Sequence, residues 1–313
     1  MKDMDIIIVK KNDPEEAYAG LRALWCDTFG DEPGFVDTFY DTFGENIKGY
    51  AAVDEEGRVC SSLTSFLCGT FEGKPAYISY AVCTAPDQRG RGLASQLIER
   101  AKEDALKDGG ISVVSPAEPS LEAYYEERGY EPFFFAPRIS LFTADDDDEY
   151  EDFSDYDIDI GDDEAFEAFA PGVSLKAADT DLYNRYREAF LANRPHIELS
   201  DDMLRMVGSD CEDDGGFFVI NGGDAICVIT TAKSGSMIMP EFILSPALEE
   251  LSLEIDAEIT VALARQAGAF EVTYSRPGSL GCQAMAAGIT AGEEDYEEKG
   301  YEYSKAYFGF PIE

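Results

Sequence analysis

Tyr80-Ala81-Val82-Cys83-Thr84-Ala85-Pro86-Asp87-Gln88-Arg89-Gly90-Arg91-Gly92-Leu93-Ala94-Ser95 runs from an apolar strand through a glycine loop directly into a helix. Pro86 ends the strand, and Leu93, Leu97, Ile98, Ala101, Ala105 and Leu106 cluster towards one face of a helix predicted over residues 93–107. At such a junction the first amides of the helix lack intrahelical acceptors and the helix dipole is positive, so the spot favours an anion such as a pyrophosphate. Gly90 and Gly92 allow close approach of the phosphates, and Arg89 and Arg91 can add charge-assisted contacts. No Gly-Lys-Ser/Thr follows, so the loop is not of the Walker type, and its spacing does not make a dinucleotide fingerprint.

Outward from this junction, turn residues divide an alternating pattern into three meandering strands, 49–53, 59–71 and 76–84. Upstream, residues 6–9 read as a strand. Asp13 before Pro14 marks the start of a helix running to Phe29, and a second helical pattern covers 34–43. Downstream, Gly109-Gly110 stops the central helix, 111–115 reads as a short buried strand and 120–128 as a short helix capped by Gly129. Residues 133–142 read as a closing strand pair interrupted by Pro137.

On these residues the chain resembles the GNAT superfamily of acyl-CoA-dependent N-acetyltransferases, whose signature Arg/Gln-x-x-Gly-x-Gly/Ala is filled by Arg89, Gly92 and Ala94. The resemblance implies that acetyl-CoA is the co-substrate, with no metal. It also implies that the strand before the loop splays from its neighbour and offers Val82, Cys83 and Thr84 to the pantetheine arm. The expected cofactor-binding set is completed by Arg89, Gly90, Arg91, Gly92, Leu93, Ala94, Ser95 and Ser120. Tyr124-Tyr125-Glu126-Glu127-Arg128-Gly129-Tyr130 looks like the family's Tyr-Glu-x-x-Gly-Phe stretch, which makes Tyr125 the catalytic acid that protonates the departing thiolate. A phenol, with an ordinary pKa of about 10, suits that task, and packing under the cofactor is the alternative role. The chain departs from better-known members at Tyr77-Ile78-Ser79-Tyr80, where no carboxylate stands to serve as base. The terminal carboxylate at Glu313 is one candidate, a water wire or another acid the others.

Between residues 145 and 164 stand thirteen acids and no basic residue, which reads as a linker. Beyond it, helices at 182–192 and 200–206, a hairpin of 217–220 with 225–231, strands at 237–244, 270–274 and 301–310, and a long helix over 246–267 repeat the order of the first half. Pro246-Ala247-Leu248-Glu249-Glu250 precedes that long helix without an arginine–glycine pair. The expected fold class is therefore α/β (α+β), a tandem GNAT fold with a mixed sheet flanked by helices in each half. Residues 1–143 would form a catalytic domain, 144–164 a linker and 165–313 a degenerate GNAT-like domain. This arrangement is similar to the enhanced-intracellular-survival acetyltransferases, without room for their sterol-carrier-like domain.

Sixty-four acids against 24 Lys and Arg give a net charge of −40, which disfavours a nucleic-acid partner. Its 45% hydrophobic and 12% aromatic content suffices for packed cores. No apolar run approaches the roughly 18 residues of a membrane span and no secretory pattern opens the chain, so a cytoplasmic protein without a membrane partner is expected. A homo-oligomer is compatible with the sequence. The seven scattered cysteines include no CxxC pair and His196 is the sole histidine, which argues against structural zinc and against a Ser-His-Asp triad. His196 reads as a solvated or capping residue, and the methionines at 203, 206, 237, 239 and 285 read as core filler. Two functions follow: direct transfer of an acetyl group through a tetrahedral intermediate to a primary amine, on a small-molecule or peptidyl acceptor that the charge suggests is cationic, or a non-catalytic acyl-CoA-binding or regulatory protein.

Overall fold

The computed structural model describes residues 4–142, 173–211, 215–232, 235–249, 253–279, 282–289 and 305–309. In chain order these form β1 (Asp5–Val9), α1 (Glu15–Phe29), α2 (Pro33–Phe43), β2 (Ile47–Val53), β3 (Val59–Phe71), β4 (Lys74–Thr84), α3 (Leu93–Lys107), β5 (Ile111–Val114), α4 (Glu122–Glu126), β6 (Glu131–Phe135) and β7 (Arg138–Phe142). There follow β8 (Leu175–Ala178), α5 (Thr180–Phe190), β9 (Ile197–Leu199), α6 (Asp201–Ser209), β10 (Gly216–Ile220), β11 (Ala225–Ile229), β12 (Ser236–Met239) and β13 (Glu241–Leu244). The remainder are α7 (Pro246–Glu249), α8 (Leu253–Gln266), β14 (Glu271–Ser275) and β15 (Cys282–Ala287). They divide into two compact units, one drawn from Met1–Phe133, Ile197–Met206 and Ala284–Ala291, the other from Phe134–His196, Val207–Gln283 and Gly292–Glu313.

The first unit is built on a mixed sheet in the order β1-β2-β3-β4-β5-β15-β6, with β9 paired to the far end of β3. Alternation along β3 and β4 sends Phe66 and Tyr80 to one face, where α1 and α2 cover them with Trp25, Phe39 and Phe43. Helix α3 covers the other face with Leu93, Leu97, Ile98, Ala101 and Ala105, most of the apolar stripe expected from its 3.6-residue period, while Leu106, expected there too, is 41% exposed. At Gly69 the backbone of β9 comes so close that a Cβ there would lie 2.1 Å from the Glu198 carbonyl oxygen. Gly69→Ala is therefore expected to push β9 off β3 and cost about 1–3 kcal/mol, read as a lower denaturant midpoint.

The second unit holds two sheets, β13-β11-β10-β8 and β12-β14-β7. In the first unit β4 pairs antiparallel with β3 and parallel with β5; here those two kinds of pairing fall to separate strands, β13 antiparallel to β11 and β12 parallel to β14. Buried within it, Glu241 on β13 receives the Tyr183 hydroxyl at 2.6 Å and the Arg187 Nε at 3.1 Å, and both charged side chains are wholly excluded from solvent. Arg187 also donates to the Phe308 carbonyl at 2.8 Å and to Glu188 at 3.2 Å, while Glu188 lies 2.9 Å from the His196 imidazole. His196, expected to be solvated or capping, is instead largely buried in this polar network. Met203, Met206, Met237, Met239 and Met285 are all buried.

Several expectations are corrected. Residues 133–142 do not form a pair of mutually bonded strands: β7 pairs with β14 instead of returning along β6. A two-residue hairpin needs positive φ in its turn, and the proline at the Ala136-Pro137 link forbids it. The strand expected over 237–244 breaks at Pro240 into β12 and β13, which enter different sheets. Strand β15 was not foreseen, because Cys282-Gln-Ala-Met-Ala-Ala287 is poor in β-branched residues. It is a strand because it pairs with β5, Met285 opposite Val114. The helix expected over 246–267 is described as α7 and α8 with residues 250–252 outside the described set, and the final strand is represented by bridges at Ala306 and Tyr307. The acidic stretch 145–164 lies outside the described residues. Among those described, no helix is long and apolar enough to cross a membrane.

Candidate functional site

Strand β4 does two things along its length. Its first half pairs with β5 from Ala76↔Ile111 to Ser79↔Val114, and there that pairing ends, while pairing with β3 continues to Thr84. The departure coincides with a bulge: Thr64 faces Tyr80 and Ser62 faces Cys83, so Leu63 alone spans Ala81 and Val82. Ala81 takes φ 49°, a left-handed conformation that costs a non-glycine residue about 1–3 kcal/mol and that surrounding structure must enforce. Beyond Ser79 the β5-facing edge of β4 has no strand partner among the described residues, β5 itself ending at Val114, which fits the splay that the resemblance implies.

Alternation then assigns the backbone groups. Ala85 donates to the Cys60 carbonyl at 2.9 Å and the Cys83 carbonyl accepts from the Ser61 hydroxyl at 2.8 Å, so residues 83 and 85 face β3. Val82 and Thr84 therefore turn their amides and carbonyls to the opened side, and the Thr84 carbonyl accepts there from Arg89 Nε at 3.3 Å. Cys83, expected to share in binding, points its backbone to β3, and its buried thiol lies 3.2 Å from the Ser62 hydroxyl. Burial pushes that thiol's pKa up, which leaves it a poor nucleophile.

The loop after β4 starts with a 3-10 turn over Pro86–Gln88, and Asp87 in it is held by Arg58 through paired bonds of 2.8 and 2.9 Å. Gly90 and Gly92 have φ of 75° and 74°, values that explain glycine at both places, and nothing stands within 4 Å of where a Cβ would lie. Gly92 caps α3 without any side chain bonded to the first-turn amides. Arg89 is exposed and Arg91 donates to the Gln88 side chain. The arrangement fits a pyrophosphate: open glycine positions, uncapped helix amides and two adjacent guanidinium groups.

Helix α4 is tied to that same first turn. The Ser95 hydroxyl lies 3.0 Å from the Tyr124 hydroxyl and accepts from Arg128 at 2.7 Å, and the Arg128 guanidinium stacks 3.4 Å from the Tyr124 ring centroid. Tyr125 beside it is 8% exposed, edge-on to Tyr124 and Tyr130, and its hydroxyl makes no hydrogen bond among the described residues. Burial foremost, then the neighbouring Tyr124 phenol, raises its pKa above the ordinary value, against a smaller lowering by Arg128. The phenol is thus a protonated donor whose hydrogen is not engaged. Ser120 is exposed and donates to Glu118 at 3.1 Å, without a bond to the other site residues. Arg128 and Tyr124, which fix α4, were not singled out from the sequence, although their i, i+4 spacing places them on one helix face.

No carboxylate stands at residues 77–80. Tyr80 stacks on Phe39 with centroids 5.5 Å apart and meets Trp25 edge-on, and Glu313 lies outside the described residues. Among the described residues no cluster of His, Cys, Asp and Glu could hold a metal ion.

Residues 45–132 match the acetyltransferase (GNAT) domain family. In fold, the chain is similar to a protein of Enterococcus faecalis V583 described as a probable N-acyltransferase, with a TM-score of 0.61, 11% identity and coverage of 91% of this chain and 72% of that one. It is similar also to a GCN5-related N-acetyltransferase of Anabaena variabilis, with a TM-score of 0.60, 15% identity and coverage of 90% and 72%. For Eis1 of Mycobacterium abscessus the TM-score is 0.51, the identity 13% and the coverage 88% and 66%. No curated protein matches in sequence.

Proposed function

We propose that the chain, whose residues 45–132 match the acetyltransferase (GNAT) domain family, is an N-acetyltransferase that moves an acetyl group from acetyl-CoA directly to a primary amine. The observation that carries this reading is the opened side of β4 at Val82 and Thr84, which leads to the uncapped first turn of α3, with the unengaged Tyr125 hydroxyl on the helix tied to that turn. Acetyl-CoA supplies an activated acyl group as its thioester. Gly90, Gly92 and the amides of Leu93, Ala94 and Ser95 hold the pyrophosphate, with Arg89 and Arg91 as counter-charges. Val82 and Thr84 pair with the pantetheine arm and polarise the thioester carbonyl through backbone N–H groups. Tyr125 donates its proton to the departing sulfur as the C–N bond replaces the C–S bond, and the proton released by the amine goes to solvent.

The second unit has both kinds of strand pairing found in the first, on separate strands, but enters its helices through Ser245-Pro246-Ala247 rather than an arginine–glycine loop. It is read as a degenerate partner that does not bind acetyl-CoA, which makes the protein a tandem of one active and one inactive half. The net charge of −40 favours a cationic acceptor. Calorimetric titration of acetyl-CoA tests both assignments: one site per chain is expected, abolished by Gly92→Glu, which would place a carboxylate in the phosphate site. Two sites would reject the degenerate half, and no binding would reject the enzyme.

A further inference from the structure

Between the α3-covered face of the first unit's sheet and the last turns of α3 lies a cavity of about 220 Å³. Register explains its lining. Lys48 and Ser65 are cross-strand partners on β2 and β3, and Tyr50 stands two residues along from Lys48, on the same face. Tyr77 projects to that face from β4, and α3 presents Ala101, Asp104, Ala105 and Asp108, the i, i+3, i+4 and i+7 positions of a single stripe. Two alanines opposite a serine leave volume that a leucine-sized pair would fill. From Gly92 the helix rises roughly 18 Å before reaching Asp104, so the cavity stands apart from the phosphate loop.

Among the residues that line it, three acids, Glu45, Asp104 and Asp108, stand against one cation, Lys48. Tyr50 donates to Asp104 at 3.0 Å and Tyr77 donates to Asp108, so both phenolic hydrogens are spent on carboxylates that keep further lone pairs. Burial holds the Tyr77 phenol protonated, its pKa pushed up to about 12. Arg100 meets Asp104 only at 3.4 Å and is half exposed. Asp104 and Asp108 face one another at i, i+4 near the C-terminal end of a helix, where like charge and the negative pole of the dipole both work against them. Ser65 is 7% exposed, lines the cavity, and its hydroxyl makes no hydrogen bond among the described residues. That hydroxyl is open to the cavity and can accept from a donor placed there.

We infer that this cavity is a binding site for a small aliphatic ammonium ligand, distinct from the acetyl-CoA site. The –NH₃⁺ group donates to Ser65 Oγ and to the remaining lone pairs of Asp104 and Asp108, its charge offsets the acids and the helix pole, and its methylenes rest on Ala101 and Ala105. A cation with N–H donors satisfies all four features at once, whereas a neutral alcohol answers only the hydrogen bonds.

The test is calorimetric titration of 1,4-diaminobutane into the full chain at low salt without acetyl-CoA, with 1,4-butanediol as the uncharged counterpart. Diamine binding that the diol does not reproduce is expected, weakened about tenfold or more by Ser65→Ala and by Asp108→Asn, and unchanged in Tyr125→Phe. Ser65→Ala is conservative enough to keep the fold, so it decides the matter if the aspartate variant does not fold. Absence of diamine binding, equal binding of the diol, or affinity untouched by both variants would overturn the inference. Because no acetyl-CoA is present, these outcomes do not depend on whether the transferase reading holds.

Discussion

Tyr125→Phe is expected to lower kcat by about 10²–10⁴-fold, the usual contribution of a positioned general acid. The substitution removes one oxygen whose hydrogen is bonded to nothing among the described residues and leaves the ring to pack on Tyr124 and Tyr130, so the fold and acetyl-CoA affinity should be unchanged. The measurement is CoA-thiol release over a panel of amines, alongside calorimetry on the same variant. The pH profile supplies a second readout. Burial raises the folded-state pKa of this phenol, which stabilises the neutral, proton-donating form. The donor is therefore retained as pH rises through the ordinary tyrosine value of about 10, and any alkaline fall in kcat due to Tyr125 should lie above it. Turnover that is the same in wild type and Tyr125→Phe at all pH values would remove the acid role.

The second large effect is on stability. Glu241→Gln removes the negative charge from a site where Arg187 and Tyr183 are wholly buried, leaving the guanidinium with Glu188, one-third exposed, as its remaining carboxylate. Breaking a buried pair on one side costs about 3–5 kcal/mol, because the remaining charge is desolvated and has lost its buried partner. Chemical denaturation should show that loss, and the double variant Glu241→Leu with Arg187→Met should recover much of it by removing both charges together. A loss below about 1 kcal/mol in Glu241→Gln would mean that Glu188 or the Phe308 carbonyl already neutralises Arg187.

What was legible in the sequence follows the range of the forces that set it. The junction from Tyr80 to Ser95 was readable because each step is local: a proline stop, two glycines at positive φ, and an apolar helical stripe. Tyr125 was reached by resemblance and not by spacing. The splay of β4 was reached the same way, and the left-handed Ala81 at its bulge left no trace, since alanine gives no hint of positive φ. The clamp of Arg128 and Tyr124 on Ser95 joins residues about thirty positions apart and needs the folded backbone to be seen. Strand β15 shows the limit most plainly: its alanines carry little β propensity, and only pairing with β5, from the other half of the chain, makes it a strand.

That pairing has a consequence for how the protein is made. The neighbour that β5 requires in its sheet is encoded some 170 residues downstream of it. On a ribosome, the phosphate loop, its helix and Tyr125 all emerge long before β15, and until β15 arrives β5 presents an open row of backbone donors and acceptors. An edge of that kind invites pairing with other chains. Truncation near residue 143 would leave the same edge permanently open, so the signature-bearing part of the chain is not a free-standing module. Its maturation waits on synthesis through Ala287.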